Sequence, residues 1–333
     1  MVSVLIAARN EAGVIGNCLT ALSTQNYPSD LWEVIVIDDN STDSTSSEVR
    51  SFRKAFEMLK LLSIEPPPPG IAPKKHALSK GIRAAQGEII LTTDADCLPP
   101  PSWISSMAKQ FDEGVDAVAG FSPLSGKGIA GTLGSFDALI NGVVSAGSIG
   151  QGKPTTLAGR NFGFRRSVWL EIGGYGENIK GASGDDDLLL QRISNHGGKV
   201  RFNTEASAQV LSTAQPSLSA WWRMKRRHIS AGKRYEPLLV VFSAMLYLFQ
   251  VGLIVSAILT LFGLFNPWHL LMIWGVKFAV DGFTVMKGAV LLKARNWIFP
   301  LIVGELISPF LFMVLIPAAM VGKISWKGRD LER

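Results

Sequence analysis

The sequence predicts an α/β protein: a mostly parallel sheet with helices on both faces, followed by helices that cross a membrane. Short runs of β-branched residues alternate with helical patterns over residues 1–235, which is typical of parallel strands joined by helices. Apolar residues make up 47% of the 333 residues, and the surplus lies almost wholly after residue 237. Two apolar segments there are longer than the roughly 20 residues that a membrane helix needs.

The predicted strands and helices follow one another at short intervals in the first 235 residues. Ligands of parallel sheets bind beyond the carboxyl ends of the strands, so the loops at that edge are the expected site. The Gly/Ser-rich stretch 120–152 is expected to be loosely packed and to lie over this site. The predicted strands are VSVLIAA, WEVIVI, LKLLSI, EIILTT and VDAVAG, and the predicted helices cover residues 14–22, 44–57, 74–85 and 102–111.

Three apolar segments make up the predicted membrane region. The middle one carries Lys277, Asp281 and Lys287, so it either crosses with an ion pair at i,i+4 or lies at the membrane surface. The other two carry at most one charge each, which favours full crossing. The sequence therefore predicts two or three membrane helices within residues 236–333. The segments are 238–265, 270–292 and 297–322.

A basic segment comes directly before the first apolar segment. Residues 221–235 contain six lysines and arginines, two tryptophans and a tyrosine, in a chain of net charge +6. Beside a membrane helix, such a segment fits membrane lipids with anionic headgroups better than nucleic acid, and the positive-inside rule places it in the cytoplasm. We expect a catalytic domain over residues 1–235 that ends in a juxtamembrane helix over 217–235. It would lie on the cytoplasmic face of the cell membrane. The tail after residue 322 is also basic, which conflicts with the rule if three helices cross.

Three acidic clusters stand out in this basic chain. Asp38 and Asp39 directly follow one predicted strand, Asp94 and Asp96 follow another, and the third cluster is 185–187. Carboxylates repel one another unless a cation, or a ligand carrying one, joins them. The clusters therefore indicate a metal-assisted site for a phosphate-bearing substrate. A nicotinamide dinucleotide site would instead need a glycine-rich turn after the first strand, and AARNEAG has a single glycine there.

Six motifs follow one another along this part of the chain. They are VSVLIAARNE, VIVIDDNSTDST, KKHALSKGI, TTDADC, GRNFGFRRSVWLEIGGYGE and GDDDLLLQRI. In this order they resemble the family 2 inverting glycosyltransferases, whose catalytic domain has the GT-A fold; the last motif has Asp where the family has Glu. The resemblance implies a metal-dependent enzyme that moves a sugar from a nucleotide-sugar donor, most often a UDP-sugar, to a saccharide or lipid-linked acceptor.

The first acidic cluster would lie at the nucleoside end of the donor. By the resemblance, Ala8, Asn10, Glu11 and Asp39 would hold the nucleoside, with Asp38 beside them. The alternative for the aspartate pair is capping of the following helix, a role that the run NSTD also fits.

The second cluster would hold the metal ion. By the resemblance, Asp96 would ligate Mg²⁺ or Mn²⁺, ions that prefer hard oxygen ligands, and Asp94 would contact the ribose or the metal and its water. The alternative for both residues is capping of a turn. Lys74 or Lys75 matches the basic position near the pyrophosphate, and the alternative is a solvated lysine in the first turn of a helix.

The third cluster would face the acceptor. Asp186 would be the general base that removes the proton of the attacking hydroxyl, and Asp185 would contact the donor. Repulsion from Asp185 and Asp187 would raise the pKa of Asp186. The alternative is that all three simply favour the N-terminus of the following helix.

The family's Q-x-x-R-W motif is only partly present. Met224 stands in place of Gln and His228 in place of Trp, which argues against processive polymer synthesis. Arg227 would contact the diphosphate, and the alternative for its helix is an anchor at the membrane surface. Two other functions stay open: transfer to a polyprenyl phosphate, which needs no base, and a catalytically silent subunit of an envelope-assembly complex.

Overall fold

The computed structural model describes residues 1–180, 183–321, 324–326 and 329–331. Twelve strands lie in these residues: β1 Val2–Ala8, β2 Trp32–Asp38, β3 Leu59–Ser63, β4 Ile89–Thr92, β5 Cys97–Leu98, β6 Ala117–Gly120, β7 Leu124–Ser125, β8 Phe162–Arg165, β9 Val200–Asn203, β10 Leu211–Thr213, β11 Ile324–Trp326 and β12 Arg329–Leu331.

Seven of the strands form the central sheet, in the order β3-β2-β1-β4-β8-β6-β9. The first four in this order are parallel to one another, β8 is antiparallel to both of its neighbours, and β6 and β9 are parallel. The predicted mostly parallel sheet is therefore confirmed. Strands β8 and β9, of four residues each, were not predicted.

Helices cover both faces of this sheet. The α-helices in the described residues are α1 Ile15–Ser23, α2 Thr45–Ser51, α3 Pro73–Ala84, α4 Trp103–Ala108, α5 Gly128–Gly150, α6 Arg166–Glu171, α7 Asp187–Asn195, α8 Leu218–Ser230, α9 Pro237–Leu261, α10 Pro267–Leu291 and α11 Ile298–Met320.

The two sides of the sheet have separate apolar cores, because successive side chains of a strand point to opposite faces. On one side, Val4 packs in a cluster with Leu19 of α1 and Trp103 of α4. On the other side, Leu5 packs in a cluster with Ile82 of α3 and with side chains of α7. Because β1 pairs in parallel with β2 and with β4, the carboxyl ends of these strands lie at one edge of the sheet, where the first two acidic clusters follow them.

The prediction of a loosely packed segment over residues 120–152 was wrong. Most of it is α5, a helix of 23 residues that is half buried. Its glycines lower helix propensity, but two of them provide close contacts instead. A Cβ on Gly142 would lie 2.6 Å from the Phe121 ring, and one on Gly134 would lie 2.9 Å from Ala214 Cβ. The prediction that this segment lies over the site is correct, since one face of α5 borders the cleft described below.

The three predicted C-terminal apolar segments form α9, α10 and α11. These helices and α5 are long and apolar enough to cross a membrane. The i,i+4 pair predicted in the middle segment is present, with Lys277 Nζ 2.8 Å from Asp281 Oδ2. Lys277 also pairs with Glu305 of α11. Lys277 therefore faces α11, whereas Lys287, the third charged residue of the predicted segment, is exposed.

Candidate active site

A cleft with a volume of about 550 Å³ opens at the carboxyl ends of β1 and β4. Helix α5 forms one wall through Asp137 and Asn141, and α8 forms another through Lys225 and Arg227. Residues of the second and third acidic clusters line it, together with two other residues expected at the donor. They are Glu11, Lys74, Asp94, Asp96, Asp185, Asp186 and Asp187.

A possible metal site lies where the chain turns after β4. One ligand atom each from Asp94, Asp96 and Cys97 lies within 4.8 Å of the others. Burial and the two neighbouring carboxylates hold the pKa of the Cys97 thiol well above its usual range, so the thiol is protonated when no metal ion is bound. The pKa of Asp96 is raised by desolvation in the cleft and by Asp94. Two closely spaced carboxylates of this kind fit a hard divalent cation.

Lys74 joins the second acidic cluster to the third. Its Nζ lies 3.0 Å from Asp94 Oδ1 and 2.8 Å from Asp185 Oδ2. Burial alone would lower the pKa of Lys74, but Asp185 and Asp94 raise it well above its usual value. In return, Lys74 overcomes the desolvation of Asp185 and lowers the pKa of that carboxyl to about 2. Lys74 and Asp185 therefore form a fixed ion pair in this part of the cleft at neutral pH.

Lys75 has a different environment from Lys74, although the two are adjacent. Its side chain is 1% exposed, and Nζ donates to the backbone oxygens of Asn178 at 2.6 Å and Ser183 at 2.7 Å. Burial lowers its pKa to about 8. Lys75 thus supports the segment before the third acidic cluster, and Lys74 is the lysine that lines the cleft.

The two lysines form a matched pair of variants. Lys74→Met is expected to weaken donor binding by about 10- to 100-fold, because a hydrogen bond to a charged group contributes about 1.5–3 kcal/mol. Lys75→Met leaves two buried carbonyls without their donor, so it lowers the melting temperature while donor affinity stays within a few-fold. Calorimetric titration with nucleotide sugar and thermal melting distinguish the two. Equal loss of donor affinity in both variants would contradict this assignment.

Asp186 sits at the N-terminal end of α7 and faces the cleft. Its Oδ2 accepts from the backbone N–H of Gly159 at 2.8 Å, and its Oδ1 accepts from that of Asp187 at 2.9 Å. A Cβ on Gly159 would lie 2.8 Å from Asp186 Cβ, so this close contact needs glycine. Burial, and then Asp185, raise the pKa of Asp186. Asp186 therefore caps α7, which is the alternative role that the sequence offered. The same hydrogen bonds fix the orientation of its carboxylate, whose oxygens can each accept a further hydrogen bond.

Asp187 is tied to the start of the membrane region. Its Oδ1 accepts from Leu188 N at 2.9 Å, and its Oδ2 accepts from the hydroxyl of Tyr235, two residues before α9. Burial and Asp186 raise the pKa of Asp187 from its usual 3.8 to about 8, although the bond from Tyr235 opposes the shift. Sequence reasoning missed this link, because nothing local connects residues so far apart in the chain.

The raised pKa of Asp187 predicts how stability changes with pH. The folded protein holds this proton up to about pH 8, whereas the unfolded chain releases it near the usual carboxyl value, so this group makes stability fall as pH rises between the two. Asp187→Asn keeps both hydrogen-bond partners without the charge. The variant's melting temperature, relative to the original protein, is expected to be higher at pH 8 than at pH 5. An equal difference at both pH values would contradict the prediction.

The residues expected at the nucleoside meet where β1 and β2 end. Asp39 N donates to Ala8 O at 2.9 Å, and Asn10 Oδ1 accepts from Thr42 N at 2.9 Å. Asn10 adopts a left-handed backbone conformation with φ 52°, which turns the chain toward Glu11 at the cleft. The structure therefore brings Ala8, Asn10, Glu11 and Asp39 together.

Asp38 has the capping geometry that the sequence left open. Its Oδ1 accepts from Ser41 N at 3.0 Å, and its Oδ2 accepts from the hydroxyl of Ser46 in α2. The side chain is 5% exposed. Asp38 thus holds the turn that leads into α2, and Asp39 is the member of the pair beside Ala8.

The basic residues of α8 mainly bind other segments of the protein. Lys225 Nζ lies 3.0 Å from Asp137 Oδ1, and Arg226 donates to the carbonyls of Ala318 and Val321 at 3.0 and 2.9 Å. Arg227 lines the cleft, and burial lowers its pKa against the opposing effect of Asp185. The helix therefore connects the cleft to the end of α11, in addition to any contact with lipid.

Two models of known protein families match this chain. The family described as "Glycosyl transferase family 2" matches residues 3–170, and "Glycosyl transferase family group 2" matches residues 89–321. The chain belongs to glycosyltransferase family 2. It is therefore a transferase with the GT-A fold, and the second match extends over α9, α10 and α11.

Proteins similar to this family 2 glycosyltransferase are also named for glycosyl transfer. It is 29% identical to the probable glycosyltransferase YdaM of Bacillus subtilis, over 81% of this chain and 68% of that one. It is 25% identical to the beta-monoglucosyldiacylglycerol synthase of Synechocystis, over 99% of this chain and 73% of that one. A solved structure, the mannosyltransferase PcManGT from Pyrobaculum calidifontis in complex with GDP-Man and Mn²⁺, superposes with a TM-score of 0.59 at 22% identity, covering 92% of this chain and 86% of that one. This last likeness shows the fold.

Proposed function

We propose that the protein is a membrane-anchored, metal-dependent, inverting glycosyltransferase that moves a sugar from a nucleotide-sugar donor to a hydroxyl group of a membrane lipid or lipid-linked saccharide. One observation carries the proposal: Lys74 bridges Asp94, beside the possible metal site, and Asp185, beside Asp186. Groups suited to a diphosphate and a carboxylate suited to a base thus line one cleft.

The donor would lie along the carboxyl ends of the strands. Glu11 and Asp39, with Ala8 and Asn10, would hold the nucleoside. Asp96 and Asp94 would hold Mg²⁺ or Mn²⁺, which offsets charge on the diphosphate when bound. Support for this placement comes from the paired carboxylates and from the related mannosyltransferase, which binds GDP-Man and Mn²⁺.

Two cations of this chain would also contact the diphosphate. The Lys74 ammonium is held in the cleft by Asp94 and Asp185, and the Arg227 guanidinium faces the same space. Both would bind the leaving nucleotide more tightly as negative charge develops on it, which is the condition for a rate effect. Asp185 would act by positioning Lys74 rather than by direct contact with the phosphates.

Asp186 would act as the general base. The acceptor oxygen attacks the anomeric carbon on the face opposite the nucleotide, and its proton passes to the Asp186 carboxylate. The bond from that carbon to the diphosphate breaks, the nucleotide leaves with the electron pair, and the configuration inverts. A carboxylate whose pKa is raised by burial and by Asp185 is a better base than an exposed one.

The acceptor would come from the membrane on the cytoplasmic side. Catalytic residues would lie within 1–235, with 217–235 as the helix next to the membrane and 236–333 as the membrane region. The helices α9 to α11 support membrane attachment. A relative that matches 99% of this chain is named for synthesis of a glucosyl diacylglycerol, which favours an uncharged lipid hydroxyl over a saccharide in solution.

The test is a matrix of donors and acceptors. Purified protein in lipid nanodiscs is incubated with UDP-glucose, UDP-N-acetylglucosamine or GDP-mannose, with Mn²⁺ or with chelator, and with diacylglycerol or a polyprenyl phosphate. Mass spectrometry of the extracted lipids is expected to show a metal-dependent glycosyl diacylglycerol. Product formed only on the polyprenyl phosphate would show that this lipid, and not diacylglycerol, is the acceptor. Absence of any product, together with absence of nucleotide binding, would indicate a catalytically silent subunit.

A further inference from the structure

The last apolar helix, α11, lies along the catalytic domain for most of its length. Near its start, Leu301 packs with Phe136 and Leu139 of α5. Near its end, Leu315 packs with Leu133 of α5 and with Trp221 of α8. One face of α11 therefore contacts helices whose other faces line the cleft.

The segment between α10 and α11 and the end of α11 are also held by hydrogen bonds to the catalytic domain. Before the helix begins, Gln209 Nε2 donates to Leu292 O at 2.6 Å. Where it ends, Arg226 of α8 donates to Ala318 O and Val321 O. Strand β11, which follows α11, packs against α8 as well. The chain thus enters and leaves α11 on the side of the catalytic domain.

The opposite face of α11 is an uninterrupted apolar surface. Five side chains at spacings of three and four residues form one stripe along the helix, and each is about half exposed or more. They are Phe299, Ile302, Leu306, Phe310 and Val314. Lipid is the environment that fits such a stripe, because it continues directly from the other apolar helices.

Helix α9 has a different surface from α11. Its first half is exposed all round its circumference, because the consecutive residues Val240, Val241, Phe242 and Ser243, which point in directions about 100° apart, are all exposed. A helix that is apolar all round needs lipid on every side, whereas α11 needs it on one side. The turn between α9 and α10 is exposed as well, with Leu264 74% exposed.

We propose that α11 lies along the bilayer surface beneath α5 and α8, with its apolar stripe among the acyl chains, and that only the hairpin of α9 and α10 inserts deeply. The segment after α11 then emerges on the same side as the catalytic domain. The charged residues of α8 argue against a crossing α11, because α8 packs along the second half of that helix and its charges would have to enter the hydrocarbon together with it. The inference rests on the proposed membrane attachment, and it does not depend on the reaction.

The arrangement also removes a conflict in the charge pattern. With three crossings, the basic segment 221–235 and the basic tail after residue 322 would face opposite sides of the membrane. With α11 on the surface, both lie on the catalytic side, as the positive-inside rule requires.

Cysteine labelling tests the side of the tail. The natural cysteines, Cys18 and Cys97, are fully buried, so the background is low. Lys54→Cys marks the catalytic domain and Ser325→Cys marks the tail, each labelled with a membrane-impermeant maleimide in inverted and in right-side-out vesicles. Both are expected to react in the same vesicle orientation. Reaction of the two in opposite orientations would overturn the proposal.

Depth measurements test the orientation of α11 itself. Nitroxide labels are placed at Phe299→Cys, Leu306→Cys and Val314→Cys, and accessibility to oxygen and to a nickel chelate is compared in liposomes. Equal depths are expected. A crossing helix would instead spread these depths over about 22 Å, at 1.5 Å per residue, and that result would overturn the proposal. Labels at Val241→Cys and Val255→Cys on α9, a helix expected to insert, provide the comparison, because their depths should differ. The activity of each variant is measured separately.

Discussion

Asp186→Asn is expected to lower turnover by about 10²- to 10⁴-fold, the usual contribution of a general base. An asparagine oxygen can still accept from Gly159 N or Asp187 N, so the fold and the start of α7 are retained. It cannot take up the proton of the acceptor hydroxyl. Initial rates and donor affinity are measured together, and donor affinity is expected to change little.

Asp112→Asn is the matched control, since Asp112 is exposed and pairs with Arg201 away from the cleft. Its turnover is expected to match that of the original protein. Near-full turnover of Asp186→Asn would contradict the assignment of the base, and it would favour a phosphate acceptor that is already ionised.

The pH dependence of turnover provides a second check on the same residue. The base must be ionised to act, so turnover falls as pH drops below the pKa of Asp186. Because burial and Asp185 raise that pKa, the acidic limb is expected above the range of an ordinary carboxyl group. The limb should be absent from the residual activity of Asp186→Asn.

Asp96→Ala is expected to remove metal-dependent donor binding. Loss of a partner that only supports a metal ligand costs about 10- to 100-fold in metal affinity, so loss of a direct ligand is expected to cost more. Calorimetric titration with nucleotide sugar, with Mn²⁺ and with chelator, measures the effect. The expected result is strong binding with Mn²⁺ for the original protein and weak, metal-independent binding for the variant.

Cys97→Ser is the control for this site. Cys97 Sγ donates to Asp96 Oδ1 at 3.5 Å, and a serine hydroxyl can donate in the same direction. Because Mn²⁺ prefers oxygen ligands to sulfur, the replacement is expected to leave Mn²⁺ affinity unchanged. A loss as large as that of Asp96→Ala would instead make Cys97 a ligand.

Much of the fold follows from local patterns in the sequence. Strands β1, β2 and β4 are apolar runs that end at polar residues, so the first two acidic clusters could be placed at one edge of the sheet before their contacts were known. Helix α5 could not be recognised in the same way. Its glycines lower helix propensity locally, and their benefit comes from distant side chains such as Phe121 and Ala214.

The site shows the same division between local and distant information. Lys74 and Lys75 are equivalent in sequence, and the difference between them arises from the segment with Asn178 and Ser183 that surrounds Lys75. Asp38 and Asp39 are separated in role by serines of the following turn. The bond from Tyr235 to Asp187 joins two segments that carry no common pattern, so only the folded chain reveals it.

The stereochemistry of one product tests the central claim most directly. The original protein, with Mn²⁺ and an α-linked nucleotide sugar, is expected to form a β-linked product, as read from the anomeric proton coupling in its NMR spectrum. Direct attack by an acceptor activated by Asp186 can give no other result. An α-linked product would contradict the account, because it would require two successive inversions or front-face attack.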